Sequence, residues 1–197
     1  MKKFLITFIF CSIATFVYSQ VIDHSKMLVE TSGWTFFTSD EADETGYVSI
    51  EKDINGNTWL KYEVSYPYNI ENMVDRNGQI CMGQYNIPEG NHMYLKLSND
   101  YILILRCSQV IERYSGIQAG HKNLYAYFNL SKESIDILNN GVIIKMRCEL
   151  KYVIMDMFLR NPVMLRSKFS ILNEKYWNKI QEVNNQHILK ENPLANF

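Results

Sequence analysis

Residues 90–111, "GNHMYLKLSNDYILILRCSQVI", carry the clearest fold signal in this chain. Alternate positions from Met93 to Leu97 are apolar, which is the period of two expected of a strand with one buried face. Asn99 and Asp100 tolerate a left-handed backbone, so they predict a two-residue turn. Residues 101–110 then return as a strand that is apolar on both faces, as in the centre of a sheet. The stretch therefore predicts an antiparallel hairpin.

A second hairpin is predicted over residues 46–68, "GYVSIEKDINGNTWLKYEVSYPY". A two-residue loop would set apolar side chains opposite charged ones, whereas a three-residue loop at 55–57 pairs Ile50 with Tyr62. Because a one-residue slip turns every side chain to the other face, the three-residue loop is favoured. The asparagine that ends the loop is then the candidate for a left-handed backbone. In this register Trp59 lies on the opposite, wetter face.

Helices and a further strand follow the hairpins. Ser131 is placed as the N-cap of a short helix that ends at Asn140-Gly141. Residues 142–157 alternate as a strand, with Ile144 and every second residue after it up to residue 152 in the apolar phase. A C-terminal helix begins between Asn161 and Ser167 and ends before the proline at 193. Its apolar stripe consists of Phe169, Leu172, Tyr176, Ile180 and Val183.

This order of elements predicts an α+β fold. The expected architecture is a mainly antiparallel sheet with the C-terminal amphipathic helix packed on one face. A β-sandwich with a terminal helix is the alternative, because about seven strands also suffice for two layers.

Residues 1–19 have the pattern of a cleaved export signal. Two lysines precede an apolar segment over 4–18, which is shorter than the ~20 residues that cross a bilayer. Valine and serine at the −3 and −1 positions favour cleavage before Gln20, and an uncleaved anchor is the alternative. Residues 20–197 are expected to form a single globular domain, exported to the periplasm, the cell surface or the medium.

Charge and cysteine content narrow the partners and the chemistry. The formal net charge of −1 becomes −3 without the signal, which gives no reason to expect nucleic acid, and no other segment has transmembrane length. The exported chain keeps Cys81, Cys107 and Cys148. A disulfide between Cys107 and Cys148 is expected, because each lies in the apolar phase of a strand that looks central; two reduced core cysteines are the alternative.

Metal and catalytic patterns are weak. The four histidines form no HxH, HxxxH or HExxH pair, and the acidic run at 40–44 lacks the spacing of a calcium loop, so neither a metal nor a cofactor is expected. Cys81 with His92 or His121 as its base is the one thiol-nucleophile arrangement available. No third group that orients the base is evident in the sequence.

Aromatic residues are the one compositional excess. Trp59, Tyr62, Tyr66 and Tyr68 are predicted to form a binding surface, since such rings pack against a ligand while their polar edges stay wet. The alternative is that they fill half-buried strand positions. The expected function is an exported, non-catalytic domain of the bacterial cell envelope or secretome that binds a protein or a glycan. A small hydrolase assembled from separate strands and a structural or assembly subunit are alternatives, and the oligomeric state stays open.

Export is tested by the intact mass of the protein purified from its own host. We expect a chain that begins at Gln20, because the signal is removed on export. The full-length product of cell-free translation supplies the control mass. A native mass that includes residues 1–19 would contradict the prediction.

Overall fold

The computed structural model describes residues 27–31, 33–36, 46–67, 87–114, 121–151 and 154–191. Within these ranges there are ten strands and two helices. The strands are β1 (Met27–Glu30), β2 (Trp34–Phe36), β3 (Gly46–Asp53), β4 (Thr58–Pro67), β5 (His92–Leu97), β6 (Ile102–Tyr114), β7 (His121–Leu130), β8 (Val142–Glu149), β9 (Ile154–Met157) and β10 (Val163–Met164). The helices are α1 (Lys132–Asn140) and α2 (Arg166–Glu191). The predicted signal lies outside the described residues.

All the strands join one antiparallel sheet. Its order is β1-β3-β4-β7-β6-β5-β8-β10, with β2 also pairing with β3 and β9 also pairing with β8. Each edge of the sheet is therefore made of two short strands that follow one another along a longer one. A mainly antiparallel sheet with two helices confirms the coarse fold class that the sequence predicts.

Strand β6 links two halves of this sheet. Its first residues, Ile102 to Arg106, pair with β5, and the segment from Cys107 to Tyr114 pairs with β7. The pairing register shifts between Cys107 and Gln109. A bulge of this kind bends a strand and increases its twist. We call β1–β4, β7 and the end of β6 the first half, and β5, the start of β6 and β8–β10 the second half.

One hydrophobic core receives side chains from both halves. Its fully buried members include Phe36, Val48, Ile50 and Tyr62 from the first half and Met93, Leu95, Ile143 and Met146 from the second. Trp34 on β2 donates its indole N–H to the sulfur of Met146 on β8 at 3.4 Å. These two strands lie near opposite ends of the strand order, so the sheet folds over and its ends meet around the core.

The first hairpin keeps the predicted faces but not the predicted pairing. Val48 lies opposite Tyr62 and Ile50 opposite Leu60, a shift of two residues that leaves every side chain on its expected face. The three-residue loop is residues 54–56, and its left-handed residue is Gly56, with φ 85°, so the assignment of Asn57 to that position is wrong.

Asp53 explains the position of this loop. Its carboxylate accepts hydrogen bonds from the backbone N–H groups of Asn55 and Asn57, both at 2.9 Å, and from the Asn57 side chain at 2.9 Å. An aspartate that satisfies the donors of a turn in this way fixes where the turn begins. Periodicity alone does not reveal that interaction.

The second hairpin has the same loop geometry. Leu97 N–H donates to Tyr101 O at 2.9 Å and Asp100 N–H to Leu97 O at 3.0 Å, which encloses the three residues 98–100. Asp100 is left-handed, with φ 63°. The turn therefore has three residues and not the two that the sequence predicts. The expectation that Asp100 tolerates a left-handed backbone is confirmed.

The helices begin and end close to their predicted positions. Ser131 caps α1, and its Oγ accepts from Ser134 N–H at 3.1 Å. In α2 the stripe residues Phe169 and Leu172 are buried in the core, and the Tyr176 hydroxyl donates to the backbone O of Ile54 at 3.2 Å. The N-terminal half of α2 thus contacts the loop of the first hairpin.

The strand predicted over 142–157 is instead a hairpin of β8 and β9. The register between β5 and β8 also shifts, so that Lys96 pairs with Lys145 and Leu97 with Ile143. The shift leaves Ile144 outside the alternation, and its side chain is 42% exposed. The apolar phase that the sequence suggests for Ile144 is therefore wrong.

The predicted disulfide is also wrong, because Cys107 and Cys148 are both free and buried. Cys148 on β8 lies opposite Met93 of β5, and β5 separates β8 from β6, which carries Cys107. Two strand spacings of ~4.8 Å already separate Cys148 from Leu105, the residue of β6 in the same row, by about 10 Å, and Cys107 lies two residues further along β6. A disulfide needs its two Cα atoms no more than ~7 Å apart. The shared apolar phase puts both thiols in one core without bringing them into contact.

Trp59 belongs to a second, smaller core on the opposite face of the first half. Its side chain is 2% exposed and packs with Tyr127, and Met27 and Ile111 lie against this pair. The indole N–H donates to Asp53 Oδ2 at 3.5 Å. The register argument correctly places Trp59 away from the main core, but the exposure predicted for it is wrong.

Replacement of Trp59 tests this second core. We expect Trp59→Ala to lower the free energy of unfolding by about 3–5 kcal/mol, because it removes a buried ring and leaves a cavity. Urea denaturation followed by circular dichroism gives the value. Trp177→Ala is the matched control: this tryptophan is 61% exposed on α2, so its replacement should cost less than about 1 kcal/mol. Equal losses in the two variants would contradict the assignment.

Candidate binding surface

The aromatic residues predicted to bind a ligand do not form one exposed cluster. Trp59 lies in the second core, and Tyr62 is fully buried, with its ring stacked on Phe36 at a centroid distance of 5.0 Å. The Tyr66 side chain and Tyr68 lie outside the described residues. Trp59 and Tyr62 therefore fill structural positions, in accordance with their high strand propensity.

A lysine surrounded by carboxylates lies beside the second core. Lys61 Nζ is 2.7 Å from Glu51 Oε1, 2.8 Å from Glu30 Oε1 and 3.7 Å from Glu63 Oε2. Ser49 Oγ donates to the same Glu30 oxygen at 2.7 Å. Strands β1, β3 and β4 bring these residues together, because Glu51, Lys61 and Glu63 all occupy the phase opposite the main core.

The charges of this cluster support a structural role. Burial opposes the charge on Lys61, but the attraction of Glu51 and the hydrogen bonds to Glu30 and Glu51 outweigh it, so the pKa of Lys61 is raised. Burial raises the pKa of Glu51, and repulsion from Glu30 and Glu63 adds to this shift, so that the attraction of Lys61 does not offset it. A lysine held protonated in this way is not a nucleophile.

The arrangement also argues against a metal at this place. Lys61 Nζ already occupies the position between the carboxylates that a cation would take. Among the residues that the structure describes, no group of three or more histidines, cysteines or acids is placed to hold a metal ion. Cys81 and the side chain of His121, two members of the alternative thiol site, are not among them.

The outer side of the second half presents a different kind of surface, which we call the isoleucine face. It consists of Tyr94 and Lys96 on β5, Ile102 and Ile104 on β6, Lys145 and Arg147 on β8, and Ile154 and Asp156 on β9. The pairing aligns these side chains in rows across the strands. Ile104, Tyr94, Arg147 and Asp156 form one row, and Ile102, Lys96 and Lys145 form the next.

Three isoleucines on this face are unusually exposed. Ile102 is 53%, Ile104 56% and Ile154 62% accessible, although alternate residues of the same strands are buried in the core. Two of them, Ile102 and Ile154, line a groove of about 430 Å³. Its walls include Tyr94, Lys96, Ile102, Lys145, Arg147 and Ile154. Exposed apolar side chains that line one groove mark an interaction site more often than a scattered apolar residue does.

Ion pairs hold the basic residues of the groove in place. Lys145 Nζ lies 2.6 Å from Asp156 Oδ2, and Arg147 donates from Nε to Oδ1 at 2.6 Å and from Nη2 to Oδ2 at 3.2 Å. The hydrogen bonds from Arg147 and Lys145 lower the pKa of Asp156 to about 2. Asp156 therefore stays ionised and orients both cations toward the groove.

Glu149 fixes the aromatic wall in the same way. It accepts hydrogen bonds from the Tyr94 hydroxyl and from His92, whose Nδ1 and backbone N lie 2.8 Å and 2.9 Å from Oε2. The bond from Tyr94, followed by that from His92, lowers the pKa of Glu149, and the same bond raises the pKa of Tyr94. The groove is therefore preformed, and no serine, threonine, cysteine or histidine is among the described residues that line it.

Comparison of the chain with protein-family models, with curated proteins and with solved structures finds no match. No helix in the described part of the chain has the length and apolar character needed to span a membrane. The geometry of this molecule is therefore the basis for inferring its function.

The carboxylate cluster yields a stability prediction. Lys61→Met should lower the free energy of unfolding at pH 7 by about 3–5 kcal/mol, because Glu51 is left buried without its partner. Without Lys61 the folded-state pKa of Glu51 should rise further. A carboxyl group whose pKa is higher in the folded state than in the unfolded state stabilises the fold at a pH below its unfolded pKa, and this contribution is lost as the pH rises. The loss should therefore shrink as the pH falls from 7 toward 4.5.

Urea denaturation at pH 5 and pH 7 measures both effects. Lys96→Met is the matched control, since Lys96 is 43% exposed and its contact with Asp100 is a surface pair expected to contribute at most about 1 kcal/mol. A Lys61→Met loss that equals the control, or that does not depend on pH, would refute the structural role.

Proposed function

We propose that this protein is an exported, non-catalytic domain of the bacterial cell envelope or secretome that binds another protein through the isoleucine face. The observation that carries the proposal is the exposure of Ile102 and Ile154, which line one groove, and of Ile104, the next outward-facing residue to Ile102 on β6. Leaving three isoleucines in water has no benefit for folding, whereas covering them with a partner removes apolar area from water.

The chemistry of this face favours a protein over a glycan. Sugar-binding surfaces rely on exposed aromatic rings, and the two described members of the predicted aromatic cluster, Trp59 and Tyr62, are buried. Aliphatic side chains on either side of basic ones offer a protein partner both apolar contacts and hydrogen bonds, the two kinds of contact that protein interfaces combine. The described residues that line the groove offer hydrogen-bond donors and include no nucleophile with a base beside it, which supports binding over catalysis.

Export is the part of the proposal that rests on residues 1–19 of the sequence. The two described cysteines are compatible with an oxidising compartment although they are not bridged. Burial raises the pKa of Cys107 to about 12 and raises that of Cys148 as well. Because the thiolate is the reactive form, these buried thiols are protected from oxidation and exchange.

The number of sheet layers and the position of α2 also bear on the proposal. We infer that the sheet forms two layers, as in the sandwich alternative, because both halves contribute to one core and Trp34 reaches Met146. We also infer that α2 covers the β1 and β3 side of the core through Phe169 and Leu172. Both features leave the isoleucine face uncovered by helix α2.

The proposal is tested by comparing captured proteins between surface variants. Immobilised residues 20–197 are incubated with envelope extract of the source organism, and bound proteins are quantified by mass spectrometry. We expect at least one protein whose recovery falls tenfold or more with Ile104→Ser and with Ile154→Ser. Its purified form should then bind the unmodified chain and not the variants.

Ile171→Ser is the control, because Ile171 is 47% exposed on α2, away from the isoleucine face. All three variants should retain the stability of the unmodified protein, since each replaced side chain is exposed. Identical sets of captured proteins for Ile104→Ser, Ile154→Ser and Ile171→Ser would refute the proposed surface.

A further inference from the structure

We propose that the partner docks on the isoleucine face as an α-helix whose contacting side carries acidic residues between two aliphatic ones. This inference rests on the proposed function, because it names the chemistry of the partner at the same surface. It depends on three observations. These are the order of apolar and basic residues across the strands, the backbone pairing of the strands beneath the groove, and the number of N–H donors that Asp156 leaves unused on Arg147 and Lys145.

Apolar residues flank a basic strip on this face. Ile102 and Ile104 lie on β6 at one side, and Ile154 lies on β9 at the other. Between them, β5 and β8 carry the cations Lys96, Lys145 and Arg147, and the described residues that line the groove include no carboxylate. Each cation has an acidic neighbour beside the groove: Asp156 for Lys145 and Arg147, and Asp100 for Lys96. A complementary partner therefore presents apolar, acidic and apolar groups in that order.

The spacing sets the scale of the partner. From Ile104 on β6 to Ile154 on β9 there are three strand spacings of ~4.8 Å and an offset of two residues along the strands, which together make about 16 Å. A helix rises 1.5 Å per residue, so aliphatic side chains at positions i and i+7 or i+11 are about 10 or 16 Å apart on one side. Acidic residues at i+3 and i+4 then lie over the basic strip.

The backbone beneath the groove excludes strand addition at its centre. Lys96 and Tyr94 lie on β5, which is hydrogen-bonded to β6 on one side and to β8 on the other. At Arg147, β8 is likewise paired with both β5 and β9. Only side chains are available to a ligand here, so a partner must satisfy its own backbone groups, as a helix does.

The cations keep donors for a second carboxylate. Arg147 gives its Nε and one Nη2 hydrogen to Asp156, and a guanidinium has five N–H donors in total. Lys145 uses one of its three donors on the same carboxylate. Asp156 therefore orients both cations and also competes with an acidic ligand for them.

Three synthetic helical peptides test the inference against the chain of residues 20–197. All carry leucine at i, i+7 and i+11, and they differ only in having Glu, Gln or Lys at i+3 and i+4. Fluorescence anisotropy of labelled peptide should show the Glu peptide binding at least tenfold more tightly than the Gln peptide. The difference should narrow in 300 mM salt, because screening weakens exposed charge pairs.

Variants of the chain locate the contact. Arg147→Glu should weaken binding of the Glu peptide at least tenfold, whereas Lys132→Glu on α1, away from this face, should leave it unchanged. Asp156→Asn should strengthen binding of the Glu peptide severalfold, because it removes the competing carboxylate. Weaker binding by Asp156→Asn would overturn the assignment of Asp156 as a competitor and with it the acidic ligand.

The remaining outcomes separate this inference from the proposed function. Equal binding of the Glu and Gln peptides, abolished for both by Ile104→Ser, overturns the acidic partner but leaves the isoleucine face as a protein-binding surface. Binding of oleate or of anionic phosphatidylglycerol vesicles in place of the peptides overturns the helical partner, and so does the absence of binding by all three peptides.

Discussion

The double pairing of β6 is the constraint on which the rest of this structure depends. One strand of 13 residues contributes its first part to the ladder with β5 and its second part to the ladder with β7. The register shifts between Cys107 and Gln109, where the ladder with β5 gives way to the ladder with β7. Both halves of the sheet contribute side chains to one core. Leu103 and Leu105 point into that core, so the isoleucines that alternate with them on β6 point away from it.

The two halves differ in how their outer sides are closed. On the first half, Trp59 and Tyr127 form a small core, and Lys61 neutralises the acids beside it. Burying charge is costly unless it is paired, so this region is specified by its ion pairs as much as by its apolar contacts. On the second half, isoleucines and basic residues stay accessible around a preformed groove. The outer side of the first half is closed by contacts within the chain, whereas that of the second half stays accessible. This difference is the reason for proposing the second half as the binding surface.

Period-two patterns predicted which residues share a face, but not which face is wet or which strands are neighbours. The pattern correctly places Trp59 on the other face of the sheet from Ile50, yet the burial of Trp59 depends on Tyr127, which is far away in sequence. The sequence likewise assigned Cys107 and Cys148 to one core without showing that β5 lies between their strands. The isoleucines of β6 suggested a strand buried on both faces, and nothing local to them shows that one face has no cover from the rest of the described chain.

Ion pairs and hydrogen bonds hold the polar side chains of the groove in place before a partner binds. Asp156 fixes Arg147 and Lys145, and Glu149 fixes Tyr94, so little side-chain entropy remains to be lost when a partner binds. Solvent-accessible charges at an interface contribute mainly to the rate and orientation of association, whereas buried apolar contacts contribute most of the affinity. In the proposed complex, the isoleucines on β6 and β9 would therefore supply most of the affinity, and the cations between them would select the orientation of the partner.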